Sequence, residues 1–259
     1  MKVAIIGAGN MGGAIARGLC GPQSPFVPDN IWVSNPSLPK LKALQTEFPT
    51  IHITTNNCEA AADADIIILA VKPWLMEQVC REIPWSEAKQ IIISVAAGIT
   101  LARLDELTGI HQKALFRLVP NTAISLSESM TLMASQGADE EDEQQILKIF
   151  QTMGQAMLIP EAKIAAATAM TSCGIAYALK YIQAAMQAGI ELGIYPKDGM
   201  KMVAQSMKGA AELILQNDTH PSVEIDKVCT PGGITIKGIN TLEHEGFGSA
   251  LIKAIKASC

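Results

Sequence analysis

The run Gly7-Ala8-Gly9-Asn10-Met11-Gly12 constrains this chain most, because it follows the apolar tetrad Val3-Ala4-Ile5-Ile6 and precedes a helical pattern. Strand, glycine turn and helix in that order make a dinucleotide-binding loop. Gly7 permits the tight turn, Gly9 lets the backbone approach a pyrophosphate, and Gly12 lets the helix lie close to the sheet. The start of that helix adds unpaired N–H groups that favour an anion. A merely structural glycine turn is the competing reading, and the strand-turn-helix frame weighs against it.

The rest of the first half continues the theme. Short β-branched runs at Val3 to Ile6, Ile31 to Ser34, Ile51 to Thr54, Asp65 to Ala70, Ile91 to Val95 and Ala114 to Leu118 read as buried parallel strands. Helical stretches at Met11 to Leu19, Pro39 to Phe48, Trp74 to Arg81 and Leu101 to Leu107 alternate with them. Ser129 to Ala134 adds a candidate strand, and Glu140 to Met153, acidic in its first turn, a helix. The fold class this predicts is α/β: an N-terminal Rossmann-like doubly wound sheet over residues 1–159, followed by an all-helical region over 160–259.

Past Pro160 the strand-like runs give way to Ala-, Met-, Leu- and Gln-rich helical spacing. Glu161 to Leu192 reads as mostly helical, with Gly174 and Gly189 as close-packing points or breaks. Pro196 opens the next helix, Asn217 to Pro221 closes it, and a Pro231-Gly232-Gly233 loop precedes helices near Thr235 to Glu243 and Phe247 to Ala257. Several of these helices carry apolar residues on more than one face. That pattern predicts a bundle with a subunit interface, hence a homo-oligomer.

Composition narrows the class further. The 259 residues are 49% hydrophobic and 17% charged, which excludes a disordered chain. A net charge of -5 without a Lys/Arg cluster gives no electrostatic footprint for nucleic acid. Six scattered cysteines form no CxxC pair or ligand cluster, so free thiols, a reducing cytoplasm and no metal are expected. Neither the first apolar run nor Ile66 to Val71 has the length of a bilayer span, so no membrane is expected either.

Candidate cofactor contacts gather at strand ends. The second strand ends in Ser34-Asn35 where an NAD site usually places an acid, and neutral groups can donate to a 2′-phosphate, so NADPH is preferred with NADH as the other option. Ala70-Val71-Lys72-Pro73 follows the central strand; Lys72 is read either as a cofactor contact or as a solvent-facing lysine. Ala96 and Asn121 also fall after strands, Asn121 as a ribose contact or as a turn cap.

With these motifs in place the chain resembles the pyrroline-5-carboxylate reductases. The resemblance covers nearly the whole length. It rests on Gly7 to Gly12, Ala70 to Pro73, Ser94 to Gly98, Arg117 with Pro120-Asn121-Thr122, and above all Thr230-Pro231-Gly232-Gly233-Ile234-Thr235-Ile236 with Leu242-Glu243. It implies a nucleotide domain with a helical dimerisation domain, dimers that can assemble into larger rings, and NAD(P)H-dependent reduction of a cyclic imino acid to L-proline. By matching, Thr235 stands near the imine nitrogen, and Thr230, Gly232, Gly233, Ile234 and Thr235, with Asp218, surround the substrate. The sequence departs at Ser172-Cys173-Gly174-Ile175-Ala176-Tyr177, where the family has Gly-Ser-Gly-Pro-Ala-Tyr. It departs again at Asp218, commonly Glu, and at Ala123, often Pro.

Two other readings compete. A β-hydroxyacid dehydrogenase-like enzyme would use Lys180, after Gly174, to polarise an oxygen. A noncatalytic NADP-binding protein would need no reactive group at all. The Pro-Gly-Gly-Ile-Thr loop discriminates against the dehydrogenase.

Overall fold

The computed structural model describes residues 1–85, 90–109, 111 and 113–259. They form strands β1 (Val3–Ile6), β2 (Ile31–Ser34), β3 (His52–Thr54), β4 (Ile66–Leu69), β5 (Ile91–Ser94), β6 (Ala114–Val119), β7 (Ser129–Gln136) and β8 (Gly154–Leu158). The sheet order is β3-β2-β1-β4-β5-β6-β7-β8, which is doubly wound through its first six strands. Those six run parallel; β7 is antiparallel to β6, and β8 parallel to β7.

The apolar strand sequences follow from burial on both faces. Along β1, Val3 and Ile5 enter one core while Ala4 and Ile6 enter the other. Ile66 and Ile68 of β4 likewise oppose Ile67 and Leu69, and every side chain of β1, β4 and β5 is buried. Each such Ile or Leu contributes roughly 1.5–3 kcal/mol by leaving water. Helices α1 (Asn10–Leu19) and α2 (Leu38–Glu47) cover the first face through Ile15, Leu19, Leu41 and Leu44. The second face is covered by α3 (Asn57–Ala61), α4 (Met76–Glu82) and α5 (Leu101–Thr108) through Ala60, Met76, Val79 and Leu104. Helix α6 (Glu140–Gln151) returns to the first face with Ile146 and Phe150, its start closed by an Asp139/Asp142 capping box.

The structure adds two elements to the sequence reading and divides a third. Strand β8 was unpredicted because Gly-Gln-Ala-Met-Leu alternates weakly at a sheet edge; its pairing with Ser129–Met133 makes it a strand. Helix α3 has only five residues, and the Asn56 side chain, accepting from the Cys58 and Glu59 N–H groups, gives it a defined start. The stretch read as one helix from Trp74 divides into a 3-10 turn, Pro73–Leu75, and α4.

The chain divides into two compact units, Met1–Ser172 and Cys173–Cys259. Helix α7 (Ile164–Glu191) carries the boundary and runs without a break through Gly174 and Gly189. In the second unit α7 ends with Leu192, Gly193 and Ile194 N–H groups returning to carbonyls of Ala188 to Ile190, a left-handed Gly193 terminating it. Helices α8 (Pro196–Asn217), α9 (Pro221–Val228), α10 (Ile234–His244) and α11 (Phe247–Lys256) complete the unit. Among its described residues no large apolar side chain is fully buried, and Leu192, Tyr195, Leu215 and Ile234 are at least 71% exposed. The stretch Glu161–Glu191 is long and apolar enough to cross a membrane by length and composition.

All six cysteines are free thiols. Burial pushes the Cys20 thiol up to about 12 and the Cys80 thiol up to about 11, so both stay protonated well above neutrality. A thiol reagent added to the native protein at about pH 8 is expected to leave Cys20 and Cys80 unlabelled until denaturant is added, as read by peptide mass spectrometry.

Candidate active site

The carboxyl ends of β1, β2 and β4 converge on the glycine turn. Gly7 has φ +105 and donates its N–H to Ser34 O at 2.8 Å, while Ala70 N–H bonds Ile6 O at 2.8 Å. A Cβ at Gly7 would lie 2.7 Å from Ala70 O, and one at Gly12 only 1.9 Å from Gly7 O. The turn is therefore pressed against both α1 and the end of β4, at a distance only glycine allows. Gly9 caps α1 without any side-chain bond, and a Cβ there would meet nothing within 4 Å. This open, uncapped helix start, with Asn10 and Met11 in its first turn, fits the pyrophosphate of a dinucleotide.

The remaining residues nominated at the strand ends have different settings. Ala8 is buried, its N–H bonded to Asn35 Oδ1 at 3.1 Å. The Ser34 hydroxyl is buried and donates to Asn57 Oδ1 at 2.7 Å; Asn57 Nδ2 in turn donates to Glu82 Oε2 at 2.9 Å. Asn57 was not nominated, although its place directly after β3, at the same sheet edge, was a usable signal. Val71 and Pro73 are half-buried and Lys72 is exposed, its Nζ 6.0 Å from the Trp74 ring centre. Ala96 is buried, and its N–H bonds Ser94 Oγ at 3.3 Å. Asn121 is buried and its Oδ1 accepts from Ala123 N–H at 3.0 Å, so one side of the amide caps the Thr122–Leu126 turn.

Arg117 also gains a definite setting. Its Nη1 donates to Glu161 Oε1 at 3.0 Å, and the same oxygen accepts from Leu101 N–H at 2.8 Å. One carboxylate thus ties β6 to the starts of α5 and of the segment entering α7. Glu161 carried no sequence motif, because its partners are 44 and 60 residues away.

In the second unit, Thr230 O accepts from Gly233 N–H at 2.9 Å, closing a turn in which Gly232 has φ +73. Gly233 caps α10 with no side-chain bond, and Ile234 and Thr235, both exposed, occupy its first turn. The result is a second uncapped helix start, with a Thr hydroxyl beside it. Asp218 sits in the left-handed region, φ 50, at the end of α8. The family's Gly-Ser-Gly-Pro stretch is replaced here inside α7, where Ser172 Oγ reaches Pro120 O at 3.4 Å and Tyr177 OH bonds Ala254 O at 3.3 Å. Lys180 Nζ is exposed and bonded to Gln183 Oε1 at 3.0 Å. Among the described residues no group of three or more His, Cys, Asp or Glu is placed to hold a metal.

A glycine turn opening onto an uncapped helix start on a doubly wound sheet, followed by a helical unit, is the architecture of a nicotinamide-dinucleotide-dependent oxidoreductase. Residues 2–98 match the family described as NADP oxidoreductase coenzyme F420-dependent, and 161–259 match pyrroline-5-carboxylate reductase dimerisation. Pyrroline-5-carboxylate reductase 2 of Dictyostelium discoideum is 37% identical over 99% of this chain and 90% of its own length. Against the same organism's reductase 1, also 37% identical over 99% of this chain, the chain spans only 48% of the relative's length. The solved pyrroline-5-carboxylate reductase of Coxiella burnetii is 29% identical with a TM-score of 0.92, covering 99% of this chain and 95% of that one. The Plasmodium falciparum pyrroline carboxylate reductase, solved with NADP bound, is 27% identical with a TM-score of 0.87, over 100% and 95%. The chain belongs to the pyrroline-5-carboxylate reductase family.

Gly12→Ala is expected to weaken NADPH binding by about tenfold or more, because the added methyl must displace the Gly7 carbonyl. Titration of intrinsic tryptophan fluorescence with NADPH checks this, and an unchanged affinity would refute the cradle.

Proposed function

We propose that this protein reduces 1-pyrroline-5-carboxylate to L-proline, the final step of proline biosynthesis, with hydride supplied by a bound NAD(P)H. The observation that carries this reading is the pair of uncapped helix starts, one behind the glycine turn at Gly9 and one at Gly233. The first suits a pyrophosphate and the second a small carboxylate.

In this proposal Gly7, Ala8, Gly9, Asn10, Met11 and Gly12 hold the pyrophosphate. Ala70 to Pro73, Ala96 and Asn121 form the surrounding cofactor surface, with Ser34 and Asn35 supporting it from the buried end of β2. NADPH is the preferred form: the end of β2 bears no carboxylate to repel a 2′-phosphate, and the Plasmodium relative was solved with NADP. Amides of Gly232 and Ile234 receive the substrate carboxylate, with Gly233 holding the turn through its bond to Thr230 O, and Thr230 and Asp218 bordering it. The Thr235 hydroxyl orients the imine nitrogen, which carries its proton throughout, so that the carbon alone accepts hydride. A Thr hydroxyl is a poor acid, and its contribution is therefore alignment and polarisation.

The functional division is proposed at 159/160, just past β8, because the dimerisation match starts at 161. Exposed apolar side chains in the second unit are assigned to a homodimer interface, with a ring of dimers as the larger assembly. The same assignment accounts for the apolar α7 without a membrane, in a cytoplasmic enzyme.

Purified protein, NADPH and pyrroline-5-carboxylate are expected to show substrate-dependent loss of nicotinamide absorbance near neutral pH; no loss would sink the assignment. Thr235→Ala should lower kcat/KM by about tenfold, equivalent to about 1.4 kcal/mol of transition-state binding. An undiminished value would remove Thr235 from the site. Lys180→Ala should leave the reaction intact, whereas the dehydrogenase reading requires its loss.

A further inference from the structure

Asn35 occupies the end of β2, where dinucleotide folds commonly present an acid to the ribose. Its amide does not face outward. Oδ1 accepts the Ala8 N–H at 3.1 Å, inside the glycine turn, and Nδ2 donates to Ser37 O at 3.3 Å, in the turn entering α2. Its own N–H bonds Thr54 O at 3.2 Å, and the residue is only 9% exposed. The adjacent Ser34 hydroxyl is equally committed, to Asn57. Every polar side-chain atom at the strand end therefore has a hydrogen-bond partner inside the protein.

We infer that Asn35 is a positioning residue, an amide clasp that holds the pyrophosphate turn to the adenosine-side turn, and that it is not a ligand of the 2′-phosphate. The inference rests on the dinucleotide reading given above. Ala8 lies between Gly7 and Gly9, the two residues with least intrinsic restriction on their backbone. An acceptor fixed on its N–H stops that turn from sampling other conformations, so less conformational freedom is lost from the free state when the cofactor arrives. The amide does both jobs at once, accepting from Ala8 and donating to the Ser37 carbonyl, which an ionised carboxylate cannot. Aspartate would keep the first bond, set two acceptors face to face at Ser37, and bring a charge to the strand end. Neutrality at this position is then a requirement of geometry, and tolerance of a 2′-phosphate follows from it.

Two variants of the full chain separate this role from direct contact. Asn35→Ala removes the acceptor, so NADPH and NADH affinities should both fall about tenfold, the ratio between them staying within about twofold. Without any cofactor, the Ala8 amide should lose hydrogen-exchange protection while amides of β4 and β5 keep theirs. Asn35→Asp is nearly isosteric and retains the Ala8 acceptor. It should preserve Ala8 protection and NADH affinity while weakening NADPH. An Asn35→Ala variant that loses NADPH alone would make Asn35 a phosphate ligand and overturn the inference. So would unchanged Ala8 exchange in Asn35→Ala, or Asn35→Asp losing Ala8 protection or NADH affinity to the same extent as Asn35→Ala. Wild-type protein that binds neither dinucleotide would reject the underlying reading itself, a result distinct from wild-type binding with unaffected variants.

Discussion

The close approach of α1 to the first strand–helix turn is the constraint on which the rest of the architecture depends. A methyl group at Gly12 would stand 1.9 Å from the Gly7 carbonyl and 2.9 Å from the Ala70 side chain. With hydrogen in that place, the helix start can aim its unpaired amides over the sheet edge while Ile15 and Leu19 still reach the core. A looser approach would separate those two tasks. The end of β4 closes the turn from the other side, so the same contact joins the glycine turn to the middle of the sheet.

Around that contact the first unit is over-determined. Alternate residues of three central strands feed two separate cores, and a one-residue shift in any of them would exchange its layers. Rigid strands then present several turns at one edge, where Asn35 bonds Ala8 and Ser34 bonds Asn57 across sequence separations of more than twenty residues. The second unit is built on a different principle. Its helices are well terminated, by the Gly193 turn, the left-handed Asp218 and the His220 side chain that accepts from Ser222 N–H at 3.3 Å. Yet its large apolar side chains stay uncovered within the chain. Definite helix ends combined with exposed apolar faces are what a subunit interface requires, because the ends are settled locally while the core is completed by another copy.

Legibility in the sequence followed the range of the interaction. β1, β2 and the helix starting at Pro196 were readable at their observed boundaries because continuous apolar runs and proline at a first turn act within a few residues. The glycine turn was readable for the same reason. β8 was not, since an edge strand of mixed polarity is defined by its neighbour, and α3 was not, since one asparagine cap organises it. At the site, Gly7 to Gly12 could be nominated from spacing alone. The direction in which Asn35 and Ser34 point could not, and neither could the junction made by Glu161, whose partners lie far along the chain.

By itself the sequence determined the fold class, the position of the glycine turn and the change from α/β to helical character, all of which are written in local periodicity and in residues with unusual backbone freedom. Only the tertiary structure decided which polar groups at the sheet edge are committed to one another and which helix starts remain open. Hydrogen bonds of that kind are chosen by which strands become neighbours, and burial then makes every unpaired donor or acceptor costly enough to enforce the choice.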